Sequence, residues 1–292
     1  MYLLQLKFNG MIELKNVTFG YPGTMRDIYE DFSISLSENK IYGLLGKNGM
    51  GKSTLLYLIC GLLRASSGKI TVDGYDAQLR RPEMLREIMI VPEEFELPKV
   101  TLDEYVMINA PFYPRFSKDV LVNCLQNFEL PLSLRLDQLS MGQKKKVYMS
   151  FALAANTKYL LMDEPTNGLD IPSKSQFRKV VASNMSADRT IIISTHQVHD
   201  IEQLLDHILI VGSDKIMFNA STADITDSYV FETRRQGEDM ADVIYSEYGV
   251  QGTQVIAKRG EKEETPINLE MLFNAVVGCL AIRRNPTCKG LL

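Results

Sequence analysis

Apolar and polar residues alternate along the first part of the chain with the period of β-strands. Between 11 and 19, apolar side chains recur at strand spacing, and between Phe32 and Ser37 they alternate with serines, which is typical of half-buried strands. Ile41–Leu45 and Tyr159–Met162 are continuous apolar runs and predict strands buried on both faces. Two strands before the first of these runs predict an antiparallel sheet flanking a parallel core.

The pattern then alternates between strands and helices, which predicts parallel β-α-β units. From about 98 to 156 helical segments replace strands, with helices near 101–110 and 117–129, and we interpret this stretch as a helical insertion. The other predicted strands are Lys69–Val72, Ile88–Val91, Thr190–Ser194 and 207–211, and the other predicted helices are Leu55–Leu63, Arg81–Glu87, Met141–Ala155, 172–186 and 197–205.

The character of the sequence changes after Phe218. Strands at 228–233 and 253–258, with helices at 239–247 and 267–280, predict a small α+β module. The sequence therefore predicts a main domain over 11–220 and a C-terminal module over 221–292.

Composition narrows the classes of function. The 292-residue chain is 45% hydrophobic and 23% charged, with a net charge of −4, so we expect a substantial core and no general binding to nucleic acid. The four cysteines form no CxxC pair and no metal-type cluster with histidine. No apolar run reaches the roughly 18 residues of a membrane span, and the first residues lack the features of a secretion signal. We expect a cytoplasmic protein.

A glycine-rich segment lies between the first buried strand and a helix. It has the spacing of a P-loop and consists of Gly46, Lys47, Asn48, Gly49, Met50, Gly51, Lys52, Ser53 and Thr54. Its backbone N–H groups and the following helix start suit phosphate oxygens. Lys52 would bridge the terminal phosphates and Ser53 would bind Mg²⁺. The structural alternative is a glycine-rich turn with a chance lysine.

Asp163 and Glu164 close the second buried run, at the sheet edge where open α/β folds bind ligands. One carboxylate would hold Mg²⁺ through water, and the other would orient or deprotonate an attacking water. The alternative is an acidic cap for the next helix. His196 follows a further strand and would contact the γ-phosphate, although a lone histidine is more often structural.

Leu139-Ser140-Met141-Gly142-Gln143 resembles the LSGGQ signature of ABC ATPases with one substitution. With it, the order of motifs over about 11–220 resembles an ABC ATPase: Tyr21 fits the aromatic A-loop, 46–53 the Walker A motif, 163–164 the Walker B motif, 168–170 the D-loop, and His196 the switch histidine. The resemblance implies an α/β fold: a P-loop NTPase core with a mixed sheet, an antiparallel β subdomain, a helical insertion and a small C-terminal α+β module. The alternative for Ser140 is helix capping alone.

The resemblance also implies residue roles and partners. Catalytic roles fall to Lys52, Glu164 and His196, and metal binding to Ser53, Asp163 and Glu93. ATP would bind Tyr21, the whole of 46–54, Ser140, Gly142, Gln143 and Asp170. The cofactors would be ATP and Mg²⁺, shared by a head-to-tail homodimer. A separate membrane permease would dock on the helical insertion and the Glu93 loop, and would hold the protein at the inner face of the membrane.

Three residues depart from the family pattern. Glu93 stands where the family has the Q-loop glutamine, so an amide donor is replaced by a carboxylate. Met141 replaces a signature glycine, and Met50 is bulky for a P-loop. We still expect ATP hydrolysis. Two other functions were weighed: a soluble mechanical ATPase of the same superfamily, which the single ATPase half and acidic charge disfavour, and a metabolic kinase, which leaves the signature without a role.

Overall fold

The computed structural model describes residues 11–212, 215–235, 237–250 and 252–281. Residues 1–10 lie outside this range, as do residues 282–292 of the predicted module, which include Cys288. The strands are β1 (Met11–Phe19), β2 (Tyr29–Ser37), β3 (Ile41–Leu45), β4 (Ser67–Val72), β5 (Tyr75–Asp76), β6 (Ile88–Val91), β7 (Tyr159–Asp163), β8 (Thr190–Thr195), β9 (His207–Val211), β10 (Ile216–Ser221), β11 (Tyr229–Arg234), β12 (Val243–Gly249) and β13 (Gly252–Lys258). The α-helices are α1 (Lys52–Ile59), α2 (Pro82–Leu85), α3 (Leu102–Asn109), α4 (Lys118–Asn127), α5 (Met141–Ala154), α6 (Ile171–Ser183), α7 (Thr222–Ser228) and α8 (Leu269–Ala281).

A six-stranded sheet forms the centre of the molecule, in the order β10-β9-β3-β8-β7-β6. Its inner pairs are parallel, and only β10 runs antiparallel to its neighbour β9. Parallel strands place their carboxyl ends on one edge. The loops after β3, β6, β7 and β8 therefore lie along the same edge, although they are far apart in sequence.

The two faces of this sheet pack against different layers. Leu160 and Met162 belong to an apolar cluster with the helices of the insertion and α6, whereas Tyr159 and Leu161 belong to a second cluster with α1 and the antiparallel strands. Alternate residues of β7 thus face opposite cores. This explains why the strand reads as a continuous apolar run.

The antiparallel β subdomain is a four-stranded sheet, β2-β1-β4-β5, as the sequence predicts. The helical insertion is confirmed in its α3, α4 and α5 helices. Thr101 and Glu104 form a capping box at the start of α3, and Ser140 and Gln143 form another at the start of α5. These reciprocal hydrogen bonds satisfy N–H groups that a helix start would otherwise leave unpaired.

The C-terminal segment contains a three-stranded antiparallel sheet, β11-β13-β12, followed by α8. Leu272 and Val276 of α8 are buried in the same apolar cluster as Leu160 of the central sheet. The segment is therefore packed onto the core beside the central sheet through α8. A domain boundary at residue 220 stays a prediction.

Several predicted elements differ from the structure. The predicted helix at 239–247 is wrong, because Val243 and Tyr245 pair with β13 in strand β12 and Ile244 is buried, as suits β-branched and aromatic residues. The predicted helix at 197–205 is instead two 3₁₀ turns, Val198–Asp200 and Glu202–Leu204.

The helix after the P-loop begins at Lys52 and stops at Ile59, earlier than predicted. Gly61 has a φ of 66° and ends the helix, with the next N–H bonded back to Tyr57. The sequence analysis missed α7, which starts with a capping box between Ser221 and Asp224. Within the described ranges, no helix is both long enough and apolar enough to span a bilayer.

Candidate functional site

The candidate site lies at the carboxyl edge of the central sheet. β3 ends at Leu45 and leads into the glycine-rich segment, while β7 ends at Asp163 and β8 at Thr195. Glu93 follows β6, the outer strand on that side. The fold thus brings three of the motifs predicted from sequence, together with Glu93, into one place.

The glycine-rich segment has a backbone that only glycine can adopt at its last turn. Gly51 has a φ of 87°, and a Cβ there would come within 2.6 Å of Ile28 and 2.8 Å of Tyr29. Lys52, which opens α1, is 7% exposed. Its Nζ donates to Gly46 O at 2.9 Å, and it lies 3.8 Å from Glu164 Oε1.

The ammonium of Lys52 is thus turned towards main-chain carbonyls and a carboxylate. Burial lowers the pKa of Lys52, while Glu164, Asp163 and Glu93 act in the opposite direction. An unfavourably buried cation gains from a polyanionic ligand.

A cleft of about 300 Å³ opens beside this segment. Tyr21 lies at its mouth, with its ring edge-on to Phe19 at 5.0 Å and its Oη 3.2 Å from Thr54 Oγ1. The residues that line the cleft are Tyr21, Ile28, Asn48, Gly49, Gly51, Lys52, Ser53, Thr54, Glu93 and Glu164. A partly exposed aromatic ring, a lysine and a helix start suit adenine and phosphate groups.

Asp163 is buried, at 1% exposure. The hydroxyl groups of Ser194 and Ser53 both hydrogen-bond to its carboxylate. Burial raises the pKa of Asp163, although these two hydroxyl groups oppose the shift. A carboxylate beside the Ser53 hydroxyl supplies oxygen ligands of the kind that Mg²⁺ takes, and leaves room for water and phosphate oxygens. The residues present therefore fit a magnesium–nucleotide complex.

Glu164 occupies a left-handed conformation, with a φ of 45°, which costs a non-glycine residue about 1 kcal/mol. Thr195 Oγ1 donates to its Oε2 at 2.9 Å, and His196 Nδ1 lies 2.8 Å from its Oε1. The strained backbone and the two contacts fix the carboxylate at the rim of the cleft. The structure thus brings His196 together with Glu164.

Glu93 lies in the same cleft and accepts a hydrogen bond from Asn167 Nδ2 at 2.9 Å. Asn167 closes the turn that begins at Glu164, because its N–H donates to Glu164 O at 3.1 Å. The carboxylate that replaces the family's glutamine is thus held by an amide from the turn after β7.

The signature residues lie outside the cleft. The Ser140 hydroxyl accepts from Gln143 N at 3.3 Å, and Asp170 caps α6 by accepting from Ser173 N at 2.9 Å. Neither residue lines the cleft, and neither does Gly142. Both side chains cap helices, as the structural alternative predicted for Ser140, and their contact with nucleotide stays a prediction.

Several residues of this site were not predicted from the sequence: Ile28, Lys145, Asn167, Ser194 and Thr195. Lys145 is 6% exposed, in register with Met149 and Ala152 on the buried face of α5. A charged residue at a buried helical position, two residues after a motif, was the signal that could have found it. Thr195 and Asn167 carried no such signal, because their contacts cross from one strand end to another.

Comparisons with known proteins agree with this geometry. The ABC transporter family model matches residues 29–167. The lipopolysaccharide export system ATP-binding protein LptB of Haemophilus influenzae is 32% identical over 201 residues, which are 66% of this chain and 83% of that protein. The ABC transporter ATP-binding protein YtrB of Bacillus subtilis is 28% identical over 92% of this chain and 98% of its own length.

The same likeness holds for solved structures. A structure described as the ATP-binding subunit of an ABC transporter has a TM-score of 0.66 and 26% identity, and the match covers 74% of this chain and 91% of that one. The chain belongs to the ABC transporter ATP-binding protein family, and it is an ATP-binding, ATP-hydrolysing subunit that powers transport.

Proposed function

We propose that two copies of this chain close head to tail on two ATP molecules, each bound with Mg²⁺, and so drive a membrane permease encoded on another chain. One observation supports the proposed dimer. The cleft is lined by the P-loop, Glu93 and Glu164, whereas Ser140 and Gly142 are outside it. If the signature contacts the nucleotide, it must do so from a second copy.

Each residue has a task in this proposal. Tyr21 stacks on adenine, Lys52 binds the terminal phosphates, and Ser53 and Asp163 hold Mg²⁺. The ion, when bound, neutralises charge that develops on the phosphates. Glu164 accepts a proton from the attacking water, and His196 keeps the Glu164 carboxylate oriented. Glu93, which also lines the cleft, would supply a further oxygen ligand to the ion.

The dimer is tested with Glu164→Gln, which keeps the shape of the side chain and removes its basicity. We expect this variant to bind ATP, to lose hydrolysis by about 1,000-fold and to run as a dimer with ATP but as a monomer with ADP in light-scattering chromatography. If it binds ATP and stays monomeric, the dimer proposal is wrong.

The matched control places a charge on the signature. Gly142 has no left-handed φ, and the nearest neighbour of an added Cβ is Gly168 O at 3.8 Å. Gly142→Asp is therefore tolerated within one chain. Added to Glu164→Gln, it should abolish the ATP-dependent dimer and leave ATP binding by the monomer intact.

A groove between β6 and the helical insertion is the proposed docking site for the permease. It encloses about 670 Å³ and combines apolar side chains with arginines; Leu62, Arg80, Arg86, Phe112 and Tyr113 are among its lining residues. Leu62 and Phe112 are exposed by 51% and 65%. Clustered exposed apolar side chains beside positive charge mark an interaction surface.

This docking site is tested by membrane attachment. Phe112→Glu should release the protein from membranes that contain its permease and leave ATP binding unchanged. Tyr248→Glu is the control, because Tyr248 is an exposed aromatic residue at 99% and lies in the C-terminal sheet. Release by both variants, or by neither, would contradict the assignment.

A further inference from the structure

Lys145 is a buried cation that none of the predicted roles uses. It lies on α5, five residues after Ser140, and is 6% exposed. Its Nζ donates to Glu164 O at 3.0 Å and to Asn167 O at 3.0 Å. Both acceptors are main-chain carbonyls, so the ammonium of Lys145 binds the backbone of the turn that follows β7.

This turn carries the carboxylate proposed to act on water. Glu164 has a φ of 45°, a conformation that persists only where neighbours hold it. The carbonyl oxygen of Glu164 accepts two hydrogen bonds. One comes from Asn167 N at 3.1 Å within the turn, and the other comes from Lys145 Nζ on α5. The lysine is the contact that ties the strained peptide to a helix outside the turn.

The same lysine acts on Glu93 through Asn167. Its ammonium holds the Asn167 carbonyl, while the Asn167 side chain donates to Glu93 Oε1 at 2.9 Å. Burial lowers the pKa of Lys145, and of the charges that oppose this shift Glu93 is the largest, ahead of Glu164 and Asp163. Lys145 therefore lies in the field of the carboxylate that replaces the family's glutamine.

The formal charges of the site show what the lysine offsets. Glu93, Asp163 and Glu164 contribute three negative charges, and Lys52 and Lys145 two positive ones. A glutamine at 93 would leave two of each. Without Lys145, the present site would carry two net negative charges where a polyanion has to bind, which is unfavourable in a buried setting.

From these contacts, we infer that Lys145 is a positioning residue for ATP hydrolysis: it fixes the turn that carries Glu164 and offsets the charge of Glu93. Lys145 is not among the residues that line the cleft. The inference rests on the proposed role of Glu164. It goes further in assigning a coupled pair, Lys145 and Glu93, on two different elements.

The test compares Lys145→Met with Lys158→Met. Lys158 lies directly before β7, at the end of the strand opposite to Glu164. Its Nζ lies 3.1 Å from Asp73 Oδ1, and its side chain is 18% exposed. We expect Lys145→Met to lower kcat by about 100-fold, the order of loss for a catalytic group displaced by about 1 Å. KM for ATP should stay within about threefold. Lys158→Met should change neither constant.

A double-mutant cycle separates charge compensation from simple packing. Adding Glu93→Gln to Lys145→Met should restore kcat about tenfold, because the carboxylate left without its cation is removed. If Lys145→Met keeps kcat within threefold of the wild type, or if the Glu93→Gln change restores nothing, the inference is overturned. Lys145→Gln, which keeps an amide donor without the charge, provides the same comparison should the methionine variant not fold.

A second readout needs no nucleotide and no activity. Amide hydrogen exchange over 164–169, measured in the nucleotide-free protein, should become faster in Lys145→Met and stay unchanged in Lys158→Met. Unchanged exchange in both would refute the positioning role. Because this result does not depend on what Glu164 does to water, it distinguishes failure of the inference from failure of the proposed function.

Discussion

The two edges of the central sheet use buried charge in opposite ways. At the amino edge, Arg189 is 2% exposed and donates to three main-chain carbonyls, Thr157 O at 3.1 Å, Asn184 O at 2.8 Å and Leu153 O at 3.0 Å. Three N–H groups of the guanidinium are paired with carbonyl oxygens from three different segments, although burial lowers the pKa of Arg189 to about 10.

At the carboxyl edge, charge is crowded. Asp163 and Glu164 are adjacent and buried, Lys52 is 3.8 Å from Glu164 Oε1, and Glu164 has a left-handed backbone. Burial shifts the pKa of Asp163 upward and that of Lys52 downward, so burial disfavours the charged form of each group.

The difference shows which edge is built for chemistry. A cation hydrogen-bonded to main-chain carbonyls at the amino edge stabilises one structure, whereas the strained backbone and crowded carboxylates at the carboxyl edge suit a ligand that brings its own charge. Function and stability are therefore separable by mutation at opposite ends of the same strands.

Asp163→Asn should give the largest effect and sharpen the comparison. We expect ATP hydrolysis to fall by about 1,000-fold, because the proposed ligand of the magnesium ion loses its charge. The melting temperature should stay equal or rise, because a carboxylate whose pKa is raised by burial is replaced by a neutral isostere. Calorimetry and a phosphate-release assay measure both. A lowered melting temperature would mean that Asp163 stabilises the fold, as the groups at the amino edge do, and would contradict the comparison.

Arg189→Met should have the reverse effect. Three buried carbonyls lose their donor, and we expect the free energy of unfolding to fall by about 3 kcal/mol, with hydrolysis per folded molecule unchanged. Urea denaturation measures the loss. Arg115→Met is the control, since Arg115 is 38% exposed and pairs with Asp188 at 2.8 Å; it should cost less than about 1 kcal/mol. Equal losses would mean that burial is not the cause.

Tyr159→Phe tests a single hydrogen bond at the amino edge. Tyr159 Oη donates to Asp73 Oδ1 at 2.6 Å, and Asp73 keeps Lys158 as a partner after the change. The expected loss is about 1 kcal/mol in the free energy of unfolding, again with unchanged hydrolysis. A change in kcat would contradict the separation of the two edges.

Glu270→Gln gives the smallest effect and one with a defined pH dependence. His199 Nε2 lies 2.7 Å from Glu270 Oε2 and joins α8 to the 3₁₀ turn after β8. The hydrogen bond to Glu270 raises the pKa of His199. The contribution of this pair to the stability of the fold is therefore fully present below the ordinary histidine pKa. It is lost as pH rises through the raised pKa of His199.

We expect Glu270→Gln to lower the free energy of unfolding by about 0.3 kcal/mol near pH 6 and not at all near pH 9. The effect is small because both side chains are largely exposed. Unfolding curves at the two values measure the difference. A cost that grows with pH would have the wrong sign for this pair.

Sequence reasoning succeeded where the relevant residues are contiguous. The P-loop, the Asp163-Glu164 pair and the apolar runs are local patterns, in which each residue predicts its neighbours' geometry. It failed at 239–247, where pairing with β13 decides the conformation, and at 197–205, where short turns replace a helix.

The sequence by itself determined a nucleotide-binding chain with a P-loop, a signature and two acidic residues at a strand end, because these depend on local spacing. Only the tertiary structure decided which charges meet. Lys145 reaches Glu164 across 19 residues and Asn167 reaches Glu93 across 74. The physical reason is that parallel strands gather distant loops at one edge, and a buried cation is oriented by whatever oxygen atoms that edge presents.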